Sequence, residues 1–69
     1  MENFIKEKRI EINMTQDDLS VKLDVSRQTI ISLEKGRYNP SIILAFKLSN
    51  LFNCKIEDLF VYEKLDKDE

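Results

Sequence analysis

The segment Thr15 to Gly36, TQDDLSVKLDVSRQTIISLEKG, leaves this chain few folding options, because its caps and turn signals define two short helices joined at a tight corner. Thr15 followed three residues later by Asp18 forms a short capping box, in which a hydroxyl and a carboxylate satisfy amide donors at a helix start. The first helix therefore begins at Gln16. Leu19 and Leu23, with Val21 beside them, are expected to line its buried face, and Ser20 is small enough to let another helix come close. Asp24 interrupts the pattern. Aspartate tolerates the left-handed backbone better than most residues carrying a β-carbon, so it can reverse the chain where glycine would be easiest. Val25 plugs the corner, and Ser26 is a good N-cap for a second helix running to about Lys35. Gly36, the single glycine of the chain, closes that helix.

On a 100° wheel the second helix divides its duties. Ile30, Leu33 and Glu34 fall toward the first helix, whereas Gln28, Ser32 and Lys35 lie at i, i+4 and i+7 on the opposite side, flanked by Arg27 and Ile31. Nothing in a small core requires those polar side chains. An isoleucine among them wants an apolar partner outside the domain, and a thymine methyl in the major groove is one candidate. The bland alternative is that Ile31 is one of the apolar residues that surfaces carry singly.

The run from Arg9 through Phe60, with TQxxLxxxLxVSRQTIxxLEKGRYNPS at its centre, resembles the phage-repressor (Cro/C1, XRE) type of helix-turn-helix family. It is especially similar to very short stand-alone bacterial members such as the cytolysin repressor of enterococci. The resemblance implies an all-α, five-helix, lambda-repressor-like domain that binds double-stranded DNA, most often as a repressor. By position, it also implies roles for particular residues. Gln16 would bond a DNA phosphate and brace the reading side chains. Arg27, Gln28 and Ser32, with Ile31 between them, would contact base edges, and Lys35, Arg37, Tyr38 and Asn39 would lie against the duplex backbone. Arg9 and Glu34 match a pair that forms an internal salt bridge, a structural role.

The chemistry of these side chains suits those roles. Arginine presents two donors to guanine O6 and N7, and glutamine donates and accepts together at adenine N6 and N7. Lysine, arginine and tyrosine near Gly36 supply charge and hydrogen bonds to phosphates, which position a protein without reading sequence. Tyr38 could equally pack its ring over the loop and expose only its hydroxyl.

The net charge of −2 looks unfavourable for a polyanionic partner, but its distribution matters more. Residues 1 to 55 hold nine Lys or Arg against seven Asp or Glu, giving +2, whereas residues 56 to 69 hold two against six, giving −4. The acidity is thus concentrated in the end of the chain, where 63–69, EKLDKDE, reads as a polar tail beyond a domain covering 1–62. With 69 residues there is room for one small core, and dimerisation would help a domain that buries only about 60% of its unfolded surface. No hydrophobic run approaches the roughly 20 residues that span a bilayer, and MENFIKEKR lacks a signal-peptide core, so a soluble cytoplasmic protein is expected. The single cysteine, Cys54, is consistent with a reducing compartment and reads as core packing.

Around the motif, a first helix is expected from about Asn3 to Asn13, burying Ile5, with Met14 packed before the Thr15 cap. Lys8 stands where the resemblance leads one to expect leucine, so the inner face is expected to be rotated or to recruit Phe4 and Ile12. Asn39, Pro40 and Ser41 make a turn and a helix start. The fourth helix runs from about Ile42 to Phe52 with Leu44, Ala45, Leu48 and Phe52 as core, Asn53 ends it, and Ile56 to Phe60 form a short fifth helix with Leu59 and Phe60 inward. The residues after it have β-forming character and suit a short strand paired with the N-terminus. Val61 and Tyr62 are candidates for a homodimer interface, or equally for closing the domain's own core.

Enzymatic readings fail on inventory: there is no histidine, one cysteine and no glycine-rich loop, so neither a metal cluster, a His-based triad nor a phosphate cradle is at hand. No catalytic residue, cofactor, metal or small-molecule ligand is expected. The reading is a homodimeric regulator that recognises an inverted-repeat operator. The competing reading is an antitoxin-type module that grips a partner toxin through its acidic end, Val61 and Tyr62, and autoregulates.

Overall fold

A computed structural model of the chain describes residues 2–37 and 39–61; Tyr38, Tyr62 and the expected tail 63–69 lie outside the described residues. Five helices follow in order: α1 (Ile5–Glu11), α2 (Gln16–Leu23), α3 (Arg27–Glu34), α4 (Ile42–Phe52) and α5 (Ile56–Leu59). They enclose one core. Ile5, Leu19, Leu23, Ile30, Leu33, Leu44, Leu48 and Leu59 are buried together, with Met14, Val25, Leu51, Phe52, Cys54 and Phe60 packed around them. Full burial of each such aliphatic side chain contributes about 1.5–3 kcal/mol. Ser20 and Ser49 are also buried, and each hydroxyl is satisfied by donating to a carbonyl three residues back, Ser20 Oγ to Asp17 O at 2.7 Å and Ser49 Oγ to Phe46 O at 3.0 Å.

One device ends four of these helices. Asn13, Asp24, Gly36 and Asn53 take left-handed φ values of 59°, 58°, 71° and 54°. In each case the following amide reaches back five residues: Met14 N to Arg9 O, Val25 N to Ser20 O, Arg37 N to Ser32 O and Cys54 N to Ser49 O, at 3.0–3.1 Å. This is the Schellman arrangement, which satisfies carbonyls left without partners at a helix C-terminus. Glycine occupies the left-handed position once; asparagine or aspartate suffices at the other three because a short polar side chain lowers the steric cost. Asp24 therefore sets the α2–α3 corner as its sequence context suggested.

Helix starts are fixed with equal economy. Thr15 Oγ1 accepts the Asp18 amide at 3.0 Å while Asp18 Oδ2 accepts the Thr15 amide at 3.0 Å, completing the capping box. The Thr15 amide, and after it the Thr15 hydroxyl, hold the Asp18 carboxyl below its ordinary pKa, because hydrogen bonds to the carboxylate favour the charged form. Ser26 Oγ accepts the Thr29 amide, and Ser41 Oγ the Leu44 amide, each at 3.1 Å.

Several core assignments differ from the sequence reading. The first helix is shorter than expected, and its inner face is Ile5 and Arg9. Phe4 and Ile12 are not recruited inward; they are 47% and 48% exposed. Val21 is 79% exposed, since only Leu19 and Leu23, four residues apart, can share the face of α2 that meets the core. The β-forming residues after α5 do meet the N-terminal segment, as an antiparallel bridge between Asn3 and Phe60. Phe4 N donates to Leu59 O at 2.8 Å and Val61 N to Glu2 O at 2.9 Å.

Candidate nucleic-acid interface

The orientation of α3 rests on a buried ion pair. Arg9 Nε donates to Glu34 Oε2 at 2.7 Å and Arg9 Nη2 to Glu34 Oε1 at 3.3 Å, a two-point contact, while Nη1 donates to Met14 O at 2.8 Å. The two side chains retain 11% and 5% of their surface. Glu34 stands in the last turn of α3, where the helix dipole disfavours a carboxylate, so the guanidinium offsets an otherwise costly charge. Gln16 Nε2 donates to Glu34 Oε1 at 3.2 Å. Three helices, α1 through Arg9, α2 through Gln16 and α3 through Glu34, thus converge on one carboxylate. Gln16 is braced against that carboxylate rather than against a residue of the outer stripe.

Ile30 and Leu33 bind α3 to the core at 0% exposure. The opposite side carries Arg27, Gln28 and Lys35, all exposed, with Ile31 and Ser32 half-buried beside them. Ile31 is therefore less isolated from the domain than its polar neighbours suggested. Arg27 Nε lies 3.7 Å from Asp17 Oδ1, with both side chains mostly exposed. A pair of that length in water contributes little, and leaves the guanidinium free to exchange partners. Beyond α3, Gly36 turns the chain so that exposed Arg37 and Asn39 follow directly. Tyr38 lies outside the described residues. Val61 is half-buried and pairs through its backbone with Glu2; Tyr62, its proposed companion, also lies outside the described residues.

Two features were not anticipated from the sequence. The first is Asn3, whose Nδ2 donates to Leu33 O at 2.8 Å across 30 residues of chain. The second is the outer face of α4, where Ile42, Ile43 and Phe46 are 70%, 67% and 53% exposed. Among the described residues no group of three or more His, Cys, Asp or Glu side chains could hold a metal ion, and no helix is long and apolar enough to cross a membrane.

A capped two-helix corner with polar side chains arrayed on the outside of its second helix defines a DNA-binding protein of helix-turn-helix type. The family model described as helix-turn-helix matches residues 5–59, and the chain belongs to that family, in its XRE/Cro-C1 form. It is 57% identical over 63 residues to an uncharacterised HTH-type transcriptional regulator of Methanocaldococcus jannaschii, covering 91% of this chain and 96% of the relative. It is 41% identical over 64 residues to the HTH-type transcriptional regulator YgzD of Bacillus subtilis, covering 93% and 97%. The fold is similar to that of the restriction-modification controller protein C.AhdI from Aeromonas hydrophila, with a TM-score of 0.72 at 23% identity, over 81% of this chain and 85% of the other. The molecule is accordingly a transcriptional regulator.

Proposed function

We propose that the protein is a cytoplasmic repressor that binds an inverted-repeat operator as a homodimer, placing one α3 per subunit in the major groove. The observation that carries this reading is the contrast between the two sides of α3: Glu34 is locked to Arg9 and Gln16, while Arg27, Gln28 and Lys35 stand in solvent. A rigid helix with adaptable polar tips is what direct base readout needs. Arg27, Gln28, Ile31 and Ser32 are assigned to base edges, and Gln16, Lys35, Arg37, Tyr38 and Asn39 to phosphates.

The modest charge of the body, +2 over residues 1 to 55 (nine minus seven), favours few phosphate contacts per subunit and hence cooperation between two subunits. We assign the subunit contact to Val61 and Tyr62. Two-fold symmetry then sets half-sites about 34 Å apart, one turn of B-DNA. Selection of bound sites from random duplexes tests the whole reading. A palindrome with that spacing is the expected product, and enrichment of no duplex overturns it.

A further inference from the structure

We propose that Asn3 is a positioning residue for the DNA-reading helix, a latch that ties the last turn of α3 to the paired segments around Asn3 and Phe60. The proposal rests on the DNA-binding reading above and adds to it a residue that touches no DNA.

The Asn3 side chain does two things at once. Its Nδ2 donates to Leu33 O at 2.8 Å, and its Oδ1 accepts the Ile5 amide at 3.1 Å. Leu33 O is among the last carbonyls of α3, which have no partner within the helix; it also accepts the Gly36 amide at 3.0 Å. The Ile5 amide is likewise a donor that α1 cannot satisfy itself. A primary amide carries a donor and an acceptor on one planar group, and the opposite orientation would set like against like at both ends. No other side chain of this length does the same.

The backbone of Asn3 belongs to a third segment. It bridges to Phe60, between the hydrogen bonds Phe4 N to Leu59 O and Val61 N to Glu2 O. One residue therefore joins the start of α1, the end of α3 and the strand-like segment that carries Val61. Leu33 lies two residues before Lys35, and the Schellman turn it helps to close sets the direction in which Arg37 leaves the helix. Displacement of the Asn3–Phe60 pairing, as on subunit association, is passed through the Asn3 amide to the loop assigned to phosphates.

The test uses the full chain and two variants that separate the roles of Asn3. N3D keeps the acceptor for Ile5 but sets a carboxylate against Leu33 O at the negative end of α3; N3A removes both contacts. Amide hydrogen exchange at Gly36 and Arg37 is compared with that at Leu48, which reports global opening. In N3D, exchange at Gly36 and Arg37 relative to Leu48 is expected to rise about tenfold, the size of one lost hydrogen bond. Affinity for a selected duplex is expected to fall by about the same factor, with a shallower salt dependence. If N3D matches the parent protein in both assays, Asn3 only starts α1 and the proposal is overturned; faster exchange confined to α1 overturns it equally. Where N3D does not fold, N3A, which introduces no repulsion, is judged by the same criteria. If the parent protein binds no duplex, the functional reading falls and the exchange comparison alone decides the latch.

Discussion

Arg9 and Glu34, on helices separated by the whole of α2, meet at 2.7 Å with most of both side chains withdrawn from solvent. This pair ties α1 to α3 alongside the apolar core that Ile5, Ile30 and Leu33 share. A buried pair of this kind adds little net stability over a well-packed hydrophobic replacement, yet removing one partner strands the other charge. Glu34→Ala should therefore lower unfolding free energy by about 3–5 kcal/mol, a large part of what a domain of this size possesses. The double variant R9M/E34L should recover much of that loss in urea denaturation. Equal instability of single and double variants would show that the pair's role is not electrostatic.

Base readout and backbone anchoring separate by substitution. Gln28→Ala should cost roughly 1–3 kcal/mol on the selected operator and little on unrelated duplex. Titrations on both duplexes check this, and equal losses would remove Gln28 from base reading.

Arg37→Ala should weaken binding to every duplex and flatten the dependence of affinity on salt by up to about one unit. An unchanged slope takes Arg37 off the phosphate assignment. Tyr38→Phe in the same titration asks whether its hydroxyl contributes.

The capping box of α2 makes stability sensitive to acid. Asp18 is held below its ordinary pKa by hydrogen bonds from Thr15. A carboxyl depressed in the folded state contributes stability above its unfolded pKa and loses it as pH falls through the folded value. Thermal melts across the acid range should therefore show a smaller pH dependence for Asp18→Asn than for the parent protein. Parallel curves would place the acid sensitivity elsewhere.

The left-handed corner at Asp24 predicts different outcomes for two replacements. Asp24→Gly, which meets no steric penalty at φ 58°, should be neutral or stabilising in denaturation. Asp24→Val should destabilise by about 1–2 kcal/mol, because a branched β-carbon opposes this conformation. Similar midpoints for both would mean that the corner relaxes to another geometry.

Local signals were readable in advance because each is written within a few residues. Thr15, Ser26, Asp24, Gly36 and Asn53 announce starts and stops through their own backbone preferences, and a short capped α3 leaves only one way to sort Arg27 and Gln28 from Ile30 and Leu33. The α1 face was not readable by the same local logic, and it was the family resemblance that marked Arg9 and Glu34 as an internal pair. Periodicity assumes that apolar residues point inward, whereas here Arg9 is buried and Ile10 and Ile12 are largely exposed, since the inner position is filled by a charge whose partner is 25 residues away. Asn3 escaped for a related reason: its acceptor lies 30 residues along the chain, and no local pattern marks an asparagine as a latch. Ile42, Ile43 and Phe46 sit in a helix that is apolar on several sides, so the pattern alone does not separate their face from that of Leu44 and Leu48.

The antiparallel bridge between Asn3 and Phe60 brings residues 57 positions apart in the sequence within one strand spacing. Residues 2 and 61 are thus close enough for a short peptide linker to join them, converting the domain into a circle whose opening can be moved to any surface loop. Such a permuted chain keeps every helix while changing the order in which they follow one another, so its ability to occupy DNA would reveal whether the natural connectivity across this bridge is needed at all.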